Sequence, residues 1–374
     1  MRYSNRIPTD LTSSELSEVW LHDAMIDLTE SNPTQVNLEY PEEELAKLFT
    51  KSPAFFPYQP DPLGEAATRN IFSVPTFLTA STSEAYAVLF KAFCNPGDKI
   101  AMPMPSYPLL PHLAALEGLE VLPYHLRYQD RWQVDLESLH AALQQGARII
   151  VVVQPNNPTG SICSKAEELA ITALAERYLV PIIVDEVFQP YSFAEPIAAF
   201  VEHTAPLVFI LNGLSKAALL PQLKLSWTEV RGDPECVQQA LSAIEWVNDA
   251  YLSAATPVQR VLPALLTLTE PLQQVVRNRL IQHRQKLQQV FKTSLLEAQG
   301  GWYAMLRIRG IADADAEEEF VRLLAAEAHV KVYPGYFFAA EPGHIVLSLL
   351  VAPALFEEGL QQSLRVICGQ GGLW

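Results

Sequence analysis

The chain has 374 residues, 49% hydrophobic and 18% charged, the balance of a globular protein with room for about two domains. With 42 acids against 26 bases the formal charge is −16, which repels nucleic acid and anionic membranes and sets both aside as partners. Cys94, Cys163, Cys236 and Cys368 stand far apart without C-x-x-C spacing, so neither a zinc site nor a disulfide framework is expected, and reduced buried thiols are.

No apolar stretch follows Met1–Arg6, and no run of about 18 apolar residues occurs. Neither a secretory signal nor a membrane span is expected, and the chain reads as cytoplasmic. Short apolar runs then alternate with helical patterns. Strands are predicted at Thr76–Thr79, Lys99–Met102, Arg148–Gln154, Pro181–Asp185, Leu207–Leu211 and Leu225–Val230, with helices at Glu84–Cys94, Leu136–Leu143 and Lys165–Tyr178. Ile149–Val153 is apolar at every position, as in a strand buried on both faces of a parallel sheet. This alternation predicts an α/β fold with a mostly parallel, doubly wound sheet. Ser81-Thr82-Ser83-Glu84 reads as a capping box, Ser81 capping the helix and Glu84 reaching back to its amide. Asn95-Pro96-Gly97 ends that helix. The character changes after about Pro263. A long charged helix is predicted over Gln273–Leu296, then a strand at Trp302–Arg307, a helix near Glu317–Ala326, and short strands at Val330–Tyr333 and His344–Leu349. Antiparallel strands with helices on one side imply a smaller α+β domain.

Four segments recur in a fixed order: Pro155-Asn156-Asn157-Pro158-Thr159-Gly160, then Ile182-Ile183-Val184-Asp185-Glu186-Val187-Phe188, then Asn212-Gly213-Leu214-Ser215-Lys216, then Pro221-Gln222-Leu223-Lys224-Leu225-Ser226-Trp227. In that order and spacing, from roughly Ile26 to Leu350, the chain resembles the fold-type-I aminotransferases, the aspartate aminotransferase superfamily that uses pyridoxal phosphate (PLP). The resemblance implies the PLP-transferase type I fold, with a large PLP-binding domain over residues 46–264. By the same analogy a small domain joins residues 1–45 to 265–374.

PLP requires a lysine for its aldehyde, an acid at its ring nitrogen, a donor to its ring oxygen, an aromatic face and a phosphate cradle. The resemblance assigns Lys216 as the Schiff-base lysine, beside Ser215, and as the carrier of the proton between substrate and cofactor. Asp185, where a loop leaves the carboxyl end of a strand, pairs with the ring nitrogen. Asn157 donates to the ring oxygen and Tyr107 stacks on the ring. Ser81, Thr82 and Ser83 open a helix whose amides suit an anion, and Lys224 adds a point charge. Tyr58 resembles the tyrosine that reaches the phosphate from a neighbouring subunit, which implies a homodimer with shared sites.

The chain also departs from the family's pattern. Ser81 stands where glycine is usual, Gly213 where a hydroxyl is usual, and Lys224 where an arginine is usual, which removes a bidentate phosphate fork. Phe188 replaces a tyrosine that donates to the ring oxygen. Val346 stands in place of the arginine that clamps the substrate α-carboxylate, and Arg307 is the candidate stand-in. The implied activity is amino-group transfer between an amine or amino acid and a carbonyl (keto) acceptor. A PLP-dependent lyase, racemase or decarboxylase is the second reading. A non-catalytic PLP-binding protein is the third, weakened as a regulator because no basic helix-turn-helix segment precedes the fold.

Overall fold

Ile149–Val153 is buried at every position, and the period of two in a strand divides its side chains between two cores. Ile149, Val151 and Val153 join one apolar cluster, Ile150 and Val152 another. In the computed structural model, residues 4–8, 15–20, 25–51, 58–193, 200 and 207–369 are described. Their strands are β1 Ile26–Asp27, β2 Thr76–Thr79, β3 Lys99–Met104, β4 Glu120–Gln129, β5 Arg131–Val134, β6 Ala147–Val153, β7 Ile182–Asp185, β8 Val208–Gly213, β9 Ser226–Arg231, β10 Tyr303–Arg307, β11 Val330–Lys331, β12 Tyr333–Pro334 and β13 His344–Ser348. The α-helices are α1 Glu15–Val19, α2 Glu42–Lys51, α3 Ala66–Arg69, α4 Thr82–Phe93, α5 Leu109–Leu116, α6 Leu136–Gln144, α7 Lys165–Tyr178, α8 Leu214–Ala217, α9 Pro234–Asp249, α10 Thr256–Phe291, α11 Ala314–Leu323 and α12 Pro353–Gly369.

The main sheet has eight strands in the order β2-β9-β8-β7-β6-β3-β4-β5. Strands β4, β3, β6, β7 and β8 run parallel, while β9, β2 and β5 pair antiparallel to their neighbours. Helices α4 and α9 cover one face through Leu89, Val237 and Ile244, packed with Phe77, Ile183 and Phe209. Helices α6 and α7 cover the other through Leu139 and Ile171, packed with Ile182 and Val184. This is the doubly wound α/β sheet read from the sequence. Because β2 is antiparallel to β9 and β9 to β8, the end of β2 and the start of β9 share an edge with the carboxyl ends of β3, β6, β7 and β8.

A smaller sheet sets β13 between β10 and β12, all antiparallel. The parallel pair β1–β11 lies alongside it, tied by the Ser348 amide donating to the Leu28 carbonyl at 2.7 Å.

Several expectations are corrected. Glu84 does not return to the Ser81 amide: its Oε2 accepts from the Ala80 amide at 2.6 Å, while Ser81 Oγ caps the Glu84 amide at 3.2 Å. The long helix begins at Thr256, not Gln273, and ends at Phe291, running through Pro263 and Pro271. Pro263 has no amide to offer the Gln259 carbonyl, and Thr68 Oγ1 donates to that carbonyl instead at 3.0 Å. Cys236 is exposed in the first turn of α9, while Cys94 and Cys163 are half-buried; the Cys368 side chain lies outside the described residues. Among the described residues, no helix is long and apolar enough to cross a membrane.

Candidate active site

A cavity of about 520 Å³ opens at the shared sheet edge, lined by Ser81, Thr82, Ser83, Tyr107, Asn157, Asp185, Ser215, Lys216 and Lys224. That size suits a cofactor with its substrate. These residues sit at strand ends: Ser81 after β2, Tyr107 after β3, Asn157 after β6, Asp185 at the end of β7, Ser215 and Lys216 after β8, and Lys224 just before β9 begins. Tyr58 does not line this cavity. It is 79% exposed and borders a separate small one with Asp61 and Asn248.

Asp185 is 7% exposed. Burial pushes its carboxyl up to about 6, opposed by the Val187 amide, the Tyr86 hydroxyl and Lys216. Tyr86 Oη donates to Oδ2 at 3.1 Å and the Val187 amide to Oδ1 at 3.2 Å. Burial draws the Lys216 amine down to about 8, and Asp185 resists that fall. Lys216 Nζ lies 4.6 Å from the Trp302 ring centre and 5.6 Å from that of Phe188, a cation–π setting. Tyr191 Oη donates to the Lys216 carbonyl at 2.7 Å and fixes the short α8 turn.

At the other end, the first turn of the 12-residue α4 presents its amides. Lys224 lines the same cavity in a left-handed conformation, φ 51°, uncommon for a residue with a Cβ. Gly213 has a steric reason: a Cβ there would meet Ser226 Cβ at 3.0 Å and the Leu225 carbonyl at 3.2 Å. Ser226, its register partner across β8–β9, lines the cavity, with its hydroxyl bonded to that of Thr79 at 2.6 Å.

Arg307 lies outside the cavity lining, with its guanidinium over the Tyr128 ring at 5.5 Å. Val346 is buried within the small sheet. Sequence reading missed Tyr86, Ser226, Trp302, Tyr303, Tyr333, Phe337 and Phe338. Ser226 alone left a signal, as the polar residue between Leu225 and Trp227.

This set could hold PLP. Asp185 offers an acid for a ring nitrogen, Lys216 an amine for an aldehyde, and the α4 amides, hydroxyls and Lys224 a cradle for phosphate. Asn157 lines the same cavity with a side-chain amide whose N–H can donate to a ring oxygen.

A family model described as aminotransferase class I and II matches residues 23–361. S-alkyl-thiohydroximate lyase of Arabidopsis thaliana is 28% identical over 212 residues, 55% of this chain and 46% of that protein. Tyrosine aminotransferase of Mus musculus is 30% identical over 197 residues, 51% of this chain and 43% of that one. The chain thus spans about half the length of these relatives. An aminotransferase from Escherichia coli superposes with a TM-score of 0.84 at 21% identity, covering 100% of this chain and 99% of that one, a likeness of fold. With the family's four segments gathered round one cavity and its model matched over most of the length, this chain belongs to the class I and II aminotransferases, which use pyridoxal phosphate.

Proposed function

We propose that the protein is a PLP-dependent aminotransferase, passing an amino group between an amine or amino acid and a carbonyl acceptor. One observation carries the reading: Lys216, partly buried, and Asp185, buried, line a single cavity with the α4 N-terminus. Bound there, PLP supplies an electron sink for the bond cleaved at the substrate carbon. Lys216 Nζ holds the aldehyde carbon. With PLP bound, its amine would be the group that moves the proton at the substrate carbon; an amine near pKa 8 is partly unprotonated at neutral pH, as this requires. Asp185 Oδ2, oriented by Tyr86, keeps the ring nitrogen protonated. Asn157 would donate to the ring oxygen, Tyr107 would offer an aromatic face, and Ser81, Thr82, Ser83, Ser215 and Lys224 would hold the phosphate. Phe188 and Trp302 exclude water from the lysine.

The same reading makes the protein a cytoplasmic homodimer, with Tyr58 extending from each subunit to the phosphate site of the other. Its exposure and its place outside its own chain's cavity support this. Residues 46–264 form the unit that carries the cofactor, and residues 1–45 with 265–374 the smaller one.

Borohydride reduction of the holoprotein followed by peptide mapping puts the pyridoxyl mass on Lys216; a label on another lysine sinks the assignment. A panel of amines and amino acids then converts the bound cofactor to its pyridoxamine form. Release of ammonia or carbon dioxide instead assigns a lyase or decarboxylase, and no response to any amine a binding protein.

A further inference from the structure

The side of the cavity facing the small sheet is aromatic. Tyr303, Tyr333, Phe337 and Phe338 line it, and their rings run on from one another: Tyr303 to Phe338 at 6.3 Å, Phe338 to Tyr333 at 5.8 Å, Tyr333 to Phe337 at 6.0 Å. Val346 lies opposite both Met305 and Tyr333 in register. Cross-strand partners, and residues two apart on one strand, share a face, so Val346 is on the face that carries Tyr303 and Tyr333. A long cationic side chain at that position would point toward the cavity; valine leaves the face apolar.

No arginine lines the cavity among the described residues, and its only lining cations are Lys216 and Lys224. Nearby cations are engaged elsewhere. Arg279 Nη1 donates to the Val36 and Leu350 carbonyls at 2.7 and 3.0 Å, Lys331 Nζ pairs with Asp27 at 2.8 Å, and Arg307 covers Tyr128. The polar groups on this side are neutral: Ser31, Asn157 and the Tyr303 phenol, which burial keeps protonated. A carboxylate placed against this wall would lose its hydration without gaining a charged partner.

We infer that the substrate arm takes the aryl or otherwise apolar group of a primary amine that carries no carboxylate beside its amine, and that Tyr303, Tyr333, Phe337 and Phe338 set this specificity. The inference rests on the aminotransferase reading above. The amine R–CH2–NH2 leaves as the aldehyde R–CHO, while the cofactor's aldehyde is reduced to its amine; the proton lost from the substrate carbon ends on the cofactor carbon. A carbonyl acceptor then reverses the exchange.

The test uses PLP-loaded protein and two readouts. In calorimetric binding, 3-phenylpropan-1-ol binds at least about tenfold more tightly than 3-phenylpropanoate, and Phe337→Ala, at a half-buried position, weakens the alcohol about tenfold. In single-turnover absorbance, 2-phenylethylamine converts the cofactor at least about tenfold faster than phenylalanine. If the acid binds as tightly as the alcohol, or phenylalanine reacts faster than the amine, the inference is overturned. If the alcohol is preferred and Phe337→Ala weakens it, yet no amine or amino acid converts the cofactor, the ligand class stands and the aminotransferase reading fails.

Discussion

Asp185 shows at a single residue what the site costs the fold. Its carboxyl ionises near pH 6 in the folded chain against 3.8 for the unperturbed group, so between those values the folded protein holds the extra proton. The stability this group contributes is lost as pH rises through that window, and above it the buried charge costs about 3 kcal/mol. Lys216 works in the opposite sense: its folded value is about 8 against 10.5, so its penalty is present below 8 and is relieved as pH rises toward 10.5. Asp185→Asn should therefore stabilise the cofactor-free protein by about 1–3 kcal/mol at pH 7.5, with the gain gone at pH 4, while transamination is lost. Urea unfolding at both pH values checks this; destabilisation at pH 7.5 would mean that hydrogen bonds to Asp185 outweigh its desolvation. Asp185, Asn157, Lys216, Lys224 and Ser81–Ser83 were legible in the sequence because each belongs to a short local pattern, a strand end, a turn or a helix cap, and those patterns come in order. Tyr86 and Tyr303 were not, because their roles depend on contacts with Asp185 and Asn157, 99 and 146 positions away, the latter being 303 − 157.

The aromatic wall is positioned by an element that carries no site residue. Glu317, in the first turn of α11, is fully buried. Its carboxylate accepts from the Tyr336 amide at 2.9 Å, the Gly343 amide at 2.7 Å and the His344 amide at 2.9 Å. These three bonds fasten both ends of the 336–343 segment that holds Phe337 and Phe338. Glu317→Ala leaves three amides without their acceptor and should destabilise the protein by about 2–4 kcal/mol. It should also weaken binding of 3-phenylpropan-1-ol. A loss under about 1 kcal/mol in urea unfolding would show that the segment is held by other contacts. The six predicted strands of the main sheet were legible because their apolar runs are bounded by turn residues. Strand β4 was not: only Leu122, Tyr124 and Leu126 face the core, while the outward positions Pro123, His125 and Arg127 break the apolar run. Helix α10 was truncated in the reading because Pro263 signals a break, whereas in the fold Thr68 Oγ1 supplies the Gln259 carbonyl with the donor that Pro263 lacks.

Across the whole molecule, the proposed second subunit makes its own prediction. Light scattering should give about 83 kDa, twice the 41.6 kDa chain, and Tyr58→Ala should release PLP more readily although Tyr58 lies outside its own chain's cavity. A monomer that retains PLP with full affinity would remove the shared site. The sequence by itself determined the fold class and the order of the four site segments, which follow from local periodicity and spacing, as a linear chain displays them; the family resemblance added the expectation that Val346 stands at an arginine's usual place. Only the tertiary structure decided what surrounds Val346. The face it shares with Tyr303 and Tyr333 is made by strand pairing, the absence of a lining arginine among the described residues reflects where Arg279 and Arg307 find partners, and the tight space round Gly213 comes from the approach of β9 to β8. Each is a contact between residues distant in the chain, set by packing and not by local pattern.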